Sequence, residues 1–212
     1  MIAAELSLAA AASALCAIVA DRNETRPPLL YMAKPLTTLL ILAAAATVPG
    51  TAPAPYRTLV LAALAFSLAG DICLMFRGDR WFIGGLGSFL VAHLLFVPAF
   101  LIGVTPAWPP VWSALFLIYA VALARVLLPR AGPLKLPVLV YMLALSAMAL
   151  AAILRWQSVG GAGATRAMLG ALVFVVSDSA LGVRQFTGSY RYAQPLILAT
   201  YWSAIALIAW SV

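Results

Sequence analysis

Four ionisable side chains stand inside apolar runs of this chain: Lys34 in "YMAKPLTTLL", Asp71 in "AFSLAGDICLMF", His93 in "GSFLVAHLLFVP" and Asp178 in "VVSDSALGVRQF". A charge at the centre of a bilayer-spanning helix costs about 2.5 to 3.5 kcal/mol on insertion scales, so a chain that keeps one either pairs it or uses it. Two intramembrane carboxyl groups suit three tasks: acid–base catalysis, a proton or cation relay, and a structural ion pair. Asp71 and Asp178 each have an arginine six positions on, Arg77 and Arg184. Six positions is about 240° around a helix, so neither acid has a cation on its own face and any partner comes from another helix. Lys34 is one candidate, to pair with a buried acid, to hold a lipid phosphate or to snorkel to the headgroups. His93 is the single histidine. One imidazole cannot build a zinc site of two or three histidines, so a zinc hydrolase is not expected, and neither a metal centre nor a cofactor is assigned. Tyr31, Tyr190, Tyr192 and Gln194 fall at the same depth as Lys34 and are candidates to line a substrate pocket.

The elements that carry these groups follow from hydropathy. Of the 212 residues, 65% are hydrophobic and 9% charged, and the mean hydropathy is +1.07, far from the balance of a soluble domain. Apolar runs of about 18 to 22 residues recur, each long enough to cross about 30 Å of hydrocarbon as a helix. Breaks at Pro, Gly and charge clusters place spans near 2–20, 29–47, 58–76, 81–104, 110–128, 137–154, 166–187 and 190–211. The expected fold is an all-α bundle of eight transmembrane helices, with 1–212 as a single integral membrane domain. The first run lacks a basic leader and carries Glu5, so it reads as a retained helix. The segment from Arg155 to Thr165 reads as a loop. Cys16 and Cys73 fall inside spans and read as core packing.

The net charge of +7 is scattered over short connections, which speaks against nucleic acid and for membrane topology. Arg57, Arg155 and Arg166 fall on one side. The other ten of the 13 basic residues, Arg22, Arg26, Lys34, Arg77, Arg80, Arg125, Arg130, Lys135, Arg184 and Arg191, fall on the opposite side. By the positive-inside tendency that richer side is cytoplasmic, which puts both termini outside and both acids in the inner half of a plasma (bacterial inner) membrane. Lys34-Pro35 followed by Asp71, and Lys135 and Pro137 followed by Asp178, form a weak internal echo that fits two parallel four-helix repeats. The runs "GGLG" and "GGAG" lack the strand and the Lys-Ser/Thr ending of a phosphate loop and read as helix and loop glycines.

The motifs "AKPL", "LAGDICLM", "FIGGLGSFLVAHLLF", "LPVLVYM" and "VVSDSAL", in this order and spacing, resemble the YhhN-like family of multi-pass membrane proteins, which includes the lysoplasmalogenases. The resemblance covers nearly the whole chain. Lys34, Asp71, His93 and Asp178 match the family's polar pattern; Phe96 stands where the family often has Tyr. The resemblance implies hydrolysis of the vinyl ether of a lysoplasmalogen, a lysophospholipid, to a fatty aldehyde and a glycerophospho-head-group compound. That chemistry fits Asp71 and Asp178 as a catalytic acid–base pair, one giving a proton and the other steadying the oxocarbenium ion and deprotonating the water, as carboxylates do in glycoside hydrolysis. Lys34, His93, Tyr190, Tyr192 and Gln194 are then substrate-binding candidates. The competing readings are a small transporter with an Asp-based proton or cation relay, and a scaffold whose acids sit in ion pairs. Membrane lipids are the expected surroundings, and no protein partner is indicated.

Overall fold

The computed structural model describes residues 1–20, 28–50 and 52–212. Arg22 and Arg26, counted above in the first connection, lie outside the described residues. Among these residues eight α-helices follow in order: α1 (Ile2–Ala20), α2 (Pro28–Thr47), α3 (Ala54–Met75), α4 (Asp79–Leu101), α5 (Ala114–Leu127), α6 (Lys135–Val159), α7 (Gly161–Thr187) and α8 (Ala193–Ala209). Seven are long and apolar enough to cross a membrane, α5 counted with its flanking 3₁₀ turns over Val111–Arg130. The eighth, α8, has 17 residues and at 1.5 Å per residue reaches roughly 25 Å. The chain is an all-α integral membrane protein.

Three helix pairs form the frame, α1 with α2, α3 with α4 and α7 with α8, and α6 packs across α4 and α7. In lipid, close approach of backbones rather than exclusion of water holds such pairs, so small residues belong at the contacts. Helix α1 buries Ala3, Ala10 and Ala17, one face at heptad spacing. A side chain at Gly70 would put its Cβ 2.6 Å from the ring of Phe89 on α4, and one at Gly170 would put it 2.8 Å from the backbone carbonyl of Ala204 on α8. Helix α5 stands apart, with Leu127 its single buried residue.

Two expectations are corrected. The segment from Arg155 to Thr165 is not a loop: α6 runs on to Val159 and α7 begins at Gly161, and the chain turns at Gly160 and Gly161, at positive φ of 65° and 76°. Arg155 is tolerated in the helix because its guanidinium donates to the Ile102 carbonyl at 2.7 Å and lies over the Tyr56 ring at 4.1 Å. Cys16 is not core packing but exposed, whereas Cys73 is partly buried. Helix α1 meets the bundle along its alanine face only, and a thiol turned outward in hydrocarbon carries no polar penalty.

The acids sit where the two sides of the bundle interlock. Asp71 on α3 is met from α2 and from α8, while Asp178 on α7 is met from α6 and from α4. Each acid thus takes a partner from the helix before its own and one from the last helix of the opposite four. That reciprocity runs with the internal echo, but α5 does not pack along α6 as α1 packs along α2.

Candidate functional site

Asp71 lies four residues before the end of α3, 1% exposed, so its carboxylate must be met by polar groups from neighbouring helices. Lys34 supplies a charge, with Nζ 3.3 Å from Oδ1. It can do so because it stands on the inner face of α2, one residue before Pro35, which cannot donate to the ladder. Thr38, one turn further along that face, donates to Asp71 Oδ2 at 2.6 Å. Tyr201 of α8 donates to the same oxygen at 2.7 Å. Trp202 Nε1 in turn donates to Thr38 Oγ1 at 3.2 Å, fixing the hydroxyl that serves the acid. Asp71 therefore accepts from one cation and two hydroxyls, the setting of an ionised carboxylate.

Asp178 is held differently. The Tyr141 hydroxyl donates to its Oδ2 at 2.5 Å, and His93 Nε2 stands 3.5 Å from the same oxygen. His93 is fully buried, and neither ring nitrogen has a hydrogen-bond partner among the described residues. Its ring is edge-on to Tyr141 and to Phe174. No ammonium or guanidinium reaches Asp178 among the described ion pairs. Phe174, Phe89 and Tyr201 meet one another edge to face, and Phe174 also meets the His93 ring beside Asp178 while Tyr201 donates to Asp71.

Both acids open onto one cavity of about 350 Å³. Lys34, Asp71, Asp178, Tyr201 and Ser177 line its depth, and Arg77, Asp79, Arg184, Gln185 and Ser189 line the end where α3 and α7 finish. Arg184 donates to the Gln194 side chain, which also lines the cavity, as does Tyr31. The mouth thus carries two guanidinium groups beside the Asp79 carboxylate, and the depth carries two carboxyls beside the Lys34 ammonium. A phosphate is recognised by the first and a reacting centre by the second.

Of the residues singled out from sequence, Tyr31, Lys34, Asp71, Asp178 and Gln194 come together on this cavity. His93 lies behind its wall, touching Asp178. Tyr190 and Tyr192 do not line it. The Tyr190 hydroxyl donates to the Ala180 carbonyl at 3.3 Å, and Tyr192, 65% exposed, lies under the Arg191 guanidinium. Both belong to the α7–α8 turn, where the left-handed backbone of Tyr192 (φ 64°) swings its ring outward. Thr38, Tyr141, Tyr201 and Trp202 escaped the sequence reading, although Thr38 is one turn beyond Lys34 and "TYWS" is a polar cluster inside the apolar run of α8.

A multi-pass helical membrane protein with two differently held carboxyl groups on one polar cavity defines a class, and comparison with known proteins narrows it. Residues 29–212 match the model of the YhhN family, so the chain belongs to that family. It is 34% identical over 156 residues to lysoplasmalogenase TMEM86B of Homo sapiens, covering 74% of this chain and 64% of that protein. It is 36% identical over 163 residues to a lysoplasmalogenase of Mycobacterium tuberculosis, covering 71% of this chain and 57% of that protein. The chain thus spans just under two thirds of the human relative's length and less of the mycobacterial one. No solved structure matches.

Proposed function

We propose that this protein is a lysoplasmalogenase, a hydrolase that cleaves the vinyl ether of a lysophospholipid. The observation that carries the reading is the unequal pair: one carboxyl surrounded by donors and one beside a phenol and an imidazole, both on one cavity. It is supported by the name that the relatives share. Two carboxyl groups whose settings differ take different roles. Asp178 is the proton donor. It delivers its proton to the outer alkene carbon, and the electron pair of the double bond forms the new C–H bond. The inner carbon and the ether oxygen are left as an oxocarbenium ion. Asp71, with its negative charge held by Lys34, Thr38 and Tyr201, steadies that cation electrostatically. Water adds to the inner carbon, and its proton passes to the Asp178 carboxylate, restoring the acid. The hemiacetal then collapses: the bond from carbon to the glycerol oxygen breaks, the hydroxyl proton moves to that oxygen, and aldehyde and glycerophospho compound leave.

Tyr141 and His93 orient Asp178, and Arg77 and Arg184 at the mouth meet the phosphate. The chain works as one integral membrane domain in a bacterial inner membrane, with the mouth and its arginines on the cytoplasmic side and both termini outside. Beyond the acids the bundle is filled by Tyr56, Phe96, Phe100 and Met148, all fully buried, which favours a site closed toward the far face of the membrane over a transport path. The test is to incubate the purified protein with a lysoplasmalogen in D₂O. The expected product is an aldehyde carrying one deuterium on the carbon next to the carbonyl. Aldehyde without that deuterium contradicts carbon protonation, and no aldehyde at all contradicts the activity.

A further inference from the structure

A vinyl ether substrate has a polar end and an aliphatic end, and the carbon that takes the proton is the first carbon of the aliphatic end. A second opening in the bundle bears on this. Beside the polar cavity lies an apolar slot of about 50 Å³ enclosed by α4, α5, α6 and α7. The two spaces share six residues, Leu74, Phe82, Phe89, Asp178, Leu181 and Gln185, and Asp178 is the one carboxyl group among them. Asp71 lines the polar cavity alone. Apart from Asp178, Tyr141, Ser179 and Gln185 the slot walls are apolar or glycine, with Leu86, Leu123, Val138 and Met142 among them. Leu86, Leu123, Met142 and Phe186 are half-buried, so the slot reaches the bundle surface. There α5 is the loosest wall, with Leu127 its single buried residue. Leu127 faces Gly182 of α7, where an added Cβ would come 3.0 Å from Leu127 Cδ1.

We infer that this slot takes the first carbons of the substrate's aliphatic chain, leading the rest of the chain out beside α5 into the lipid, so that Asp178 stands where polar cavity becomes hydrocarbon. The inference rests on the lysoplasmalogenase reading for its chemistry and on the slot for its geometry. A slot this small holds only the start of a chain, and the rest must pass through it to reach the lipid, so narrowing it obstructs a long chain more than one short enough to end inside it. The acid that protonates carbon is placed at the junction, and the one that steadies the cation is placed on the polar side.

Two measurements separate this from the activity itself. The first uses a saturated 1-O-alkyl glycerophosphocholine bearing a diazirine near the start of the chain, photolysed with the intact protein in detergent. Label is expected on α5, α6 and α7 around Leu123, Met142 and Gly182, and it should fall in Gly182→Leu. Label on α1, α2 or α8, or label unchanged in Gly182→Leu, overturns the slot. The second compares turnover of hexadecenyl and butenyl lysoplasmalogens. Gly182→Leu and Leu123→Trp, which narrow the slot from opposite walls, should slow the long-chain substrate by about tenfold or more while the butenyl substrate loses less. Leu127 Cδ1 is the end of a flexible side chain, so the glycine variant is expected to fold, and Leu123→Trp covers the case in which it does not. Equal loss on both substrates in both variants refutes the slot. Slot labelling without aldehyde release from the wild type leaves lysophospholipid binding in place and removes the hydrolase reading instead.

Discussion

At the scale of single residues, the two acids differ in the company they keep. Asp71 accepts from Lys34, Thr38 and Tyr201, whereas Asp178 has the Tyr141 phenol and the His93 ring. Asparagine keeps the shape and most of the hydrogen bonding of aspartate, but it can neither give an acid proton nor offset a positive charge. Asp71→Asn and Asp178→Asn should each cut aldehyde release by about 10² to 10⁴, the usual worth of acid–base catalysis. The check is turnover beside the thermal midpoint in detergent. Near wild-type turnover in both removes the two-carboxylate mechanism, while unfolding in both favours a structural ion pair. His93→Gln should cost less than either, since the ring touches Asp178 and lies behind the cavity wall. A finer prediction concerns the donors on Asp71. Thr38→Val and Tyr201→Phe each remove one hydrogen bond to a charged group, worth about 1.5 to 3 kcal/mol. Each should lower kcat because the carboxylate that steadies the cation is less well held. Unchanged kcat in both would mean that Asp71 does not act as the anion.

At the scale of elements, the site is as precise as the pairing of α3 with α4 and of α7 with α8. Gly170 lets α7 approach α8, with the Ala204 carbonyl 2.8 Å and Ile208 Cγ1 2.7 Å from where a Cβ would stand. Backbone cannot yield as a side-chain tip can, so Gly170→Leu should force the helices apart. Overpacking of this kind costs about 1 to 3 kcal/mol. Because α8 brings Tyr201 to Asp71 and α7 brings Asp178, the variant should lose turnover along with thermal stability. A Gly170→Leu protein of wild-type midpoint and turnover would show that the close approach of α7 and α8 is not needed. Element lengths were partly legible in the sequence. The Arg155–Thr165 stretch misled because a buried arginine reads as a loop signal until the Ile102 carbonyl and the Tyr56 ring that receive it are seen.

At the scale of the whole molecule, the cavity opens at the end of the bundle that carries Arg77 and Arg184, the side rich in basic residues. Reporter fusions at the two termini should therefore both report a non-cytoplasmic location, and a cytoplasmic signal from either would reverse the orientation and the leaflet that supplies substrate. The sequence by itself determined that the chain is a helical membrane bundle and that Lys34, Asp71, His93 and Asp178 stand inside it. Hydropathy and lone charges are local properties, and the cost of a charge in hydrocarbon applies wherever the helix turns. Only the tertiary structure decided which groups meet. Thr38 and Asp71 are 33 residues apart, Tyr141 and Asp178 37, and Tyr201 and Asp71 130. A tyrosine or threonine in an apolar helix is nearly as well placed facing lipid headgroups, a neighbour's carbonyl or a buried acid, so its type does not say which. Tyr190 and Tyr192 turn away from the cavity and Tyr201 turns into it because the α7–α8 turn and the close packing of α8 set those directions, and neither is written in the local pattern of residues.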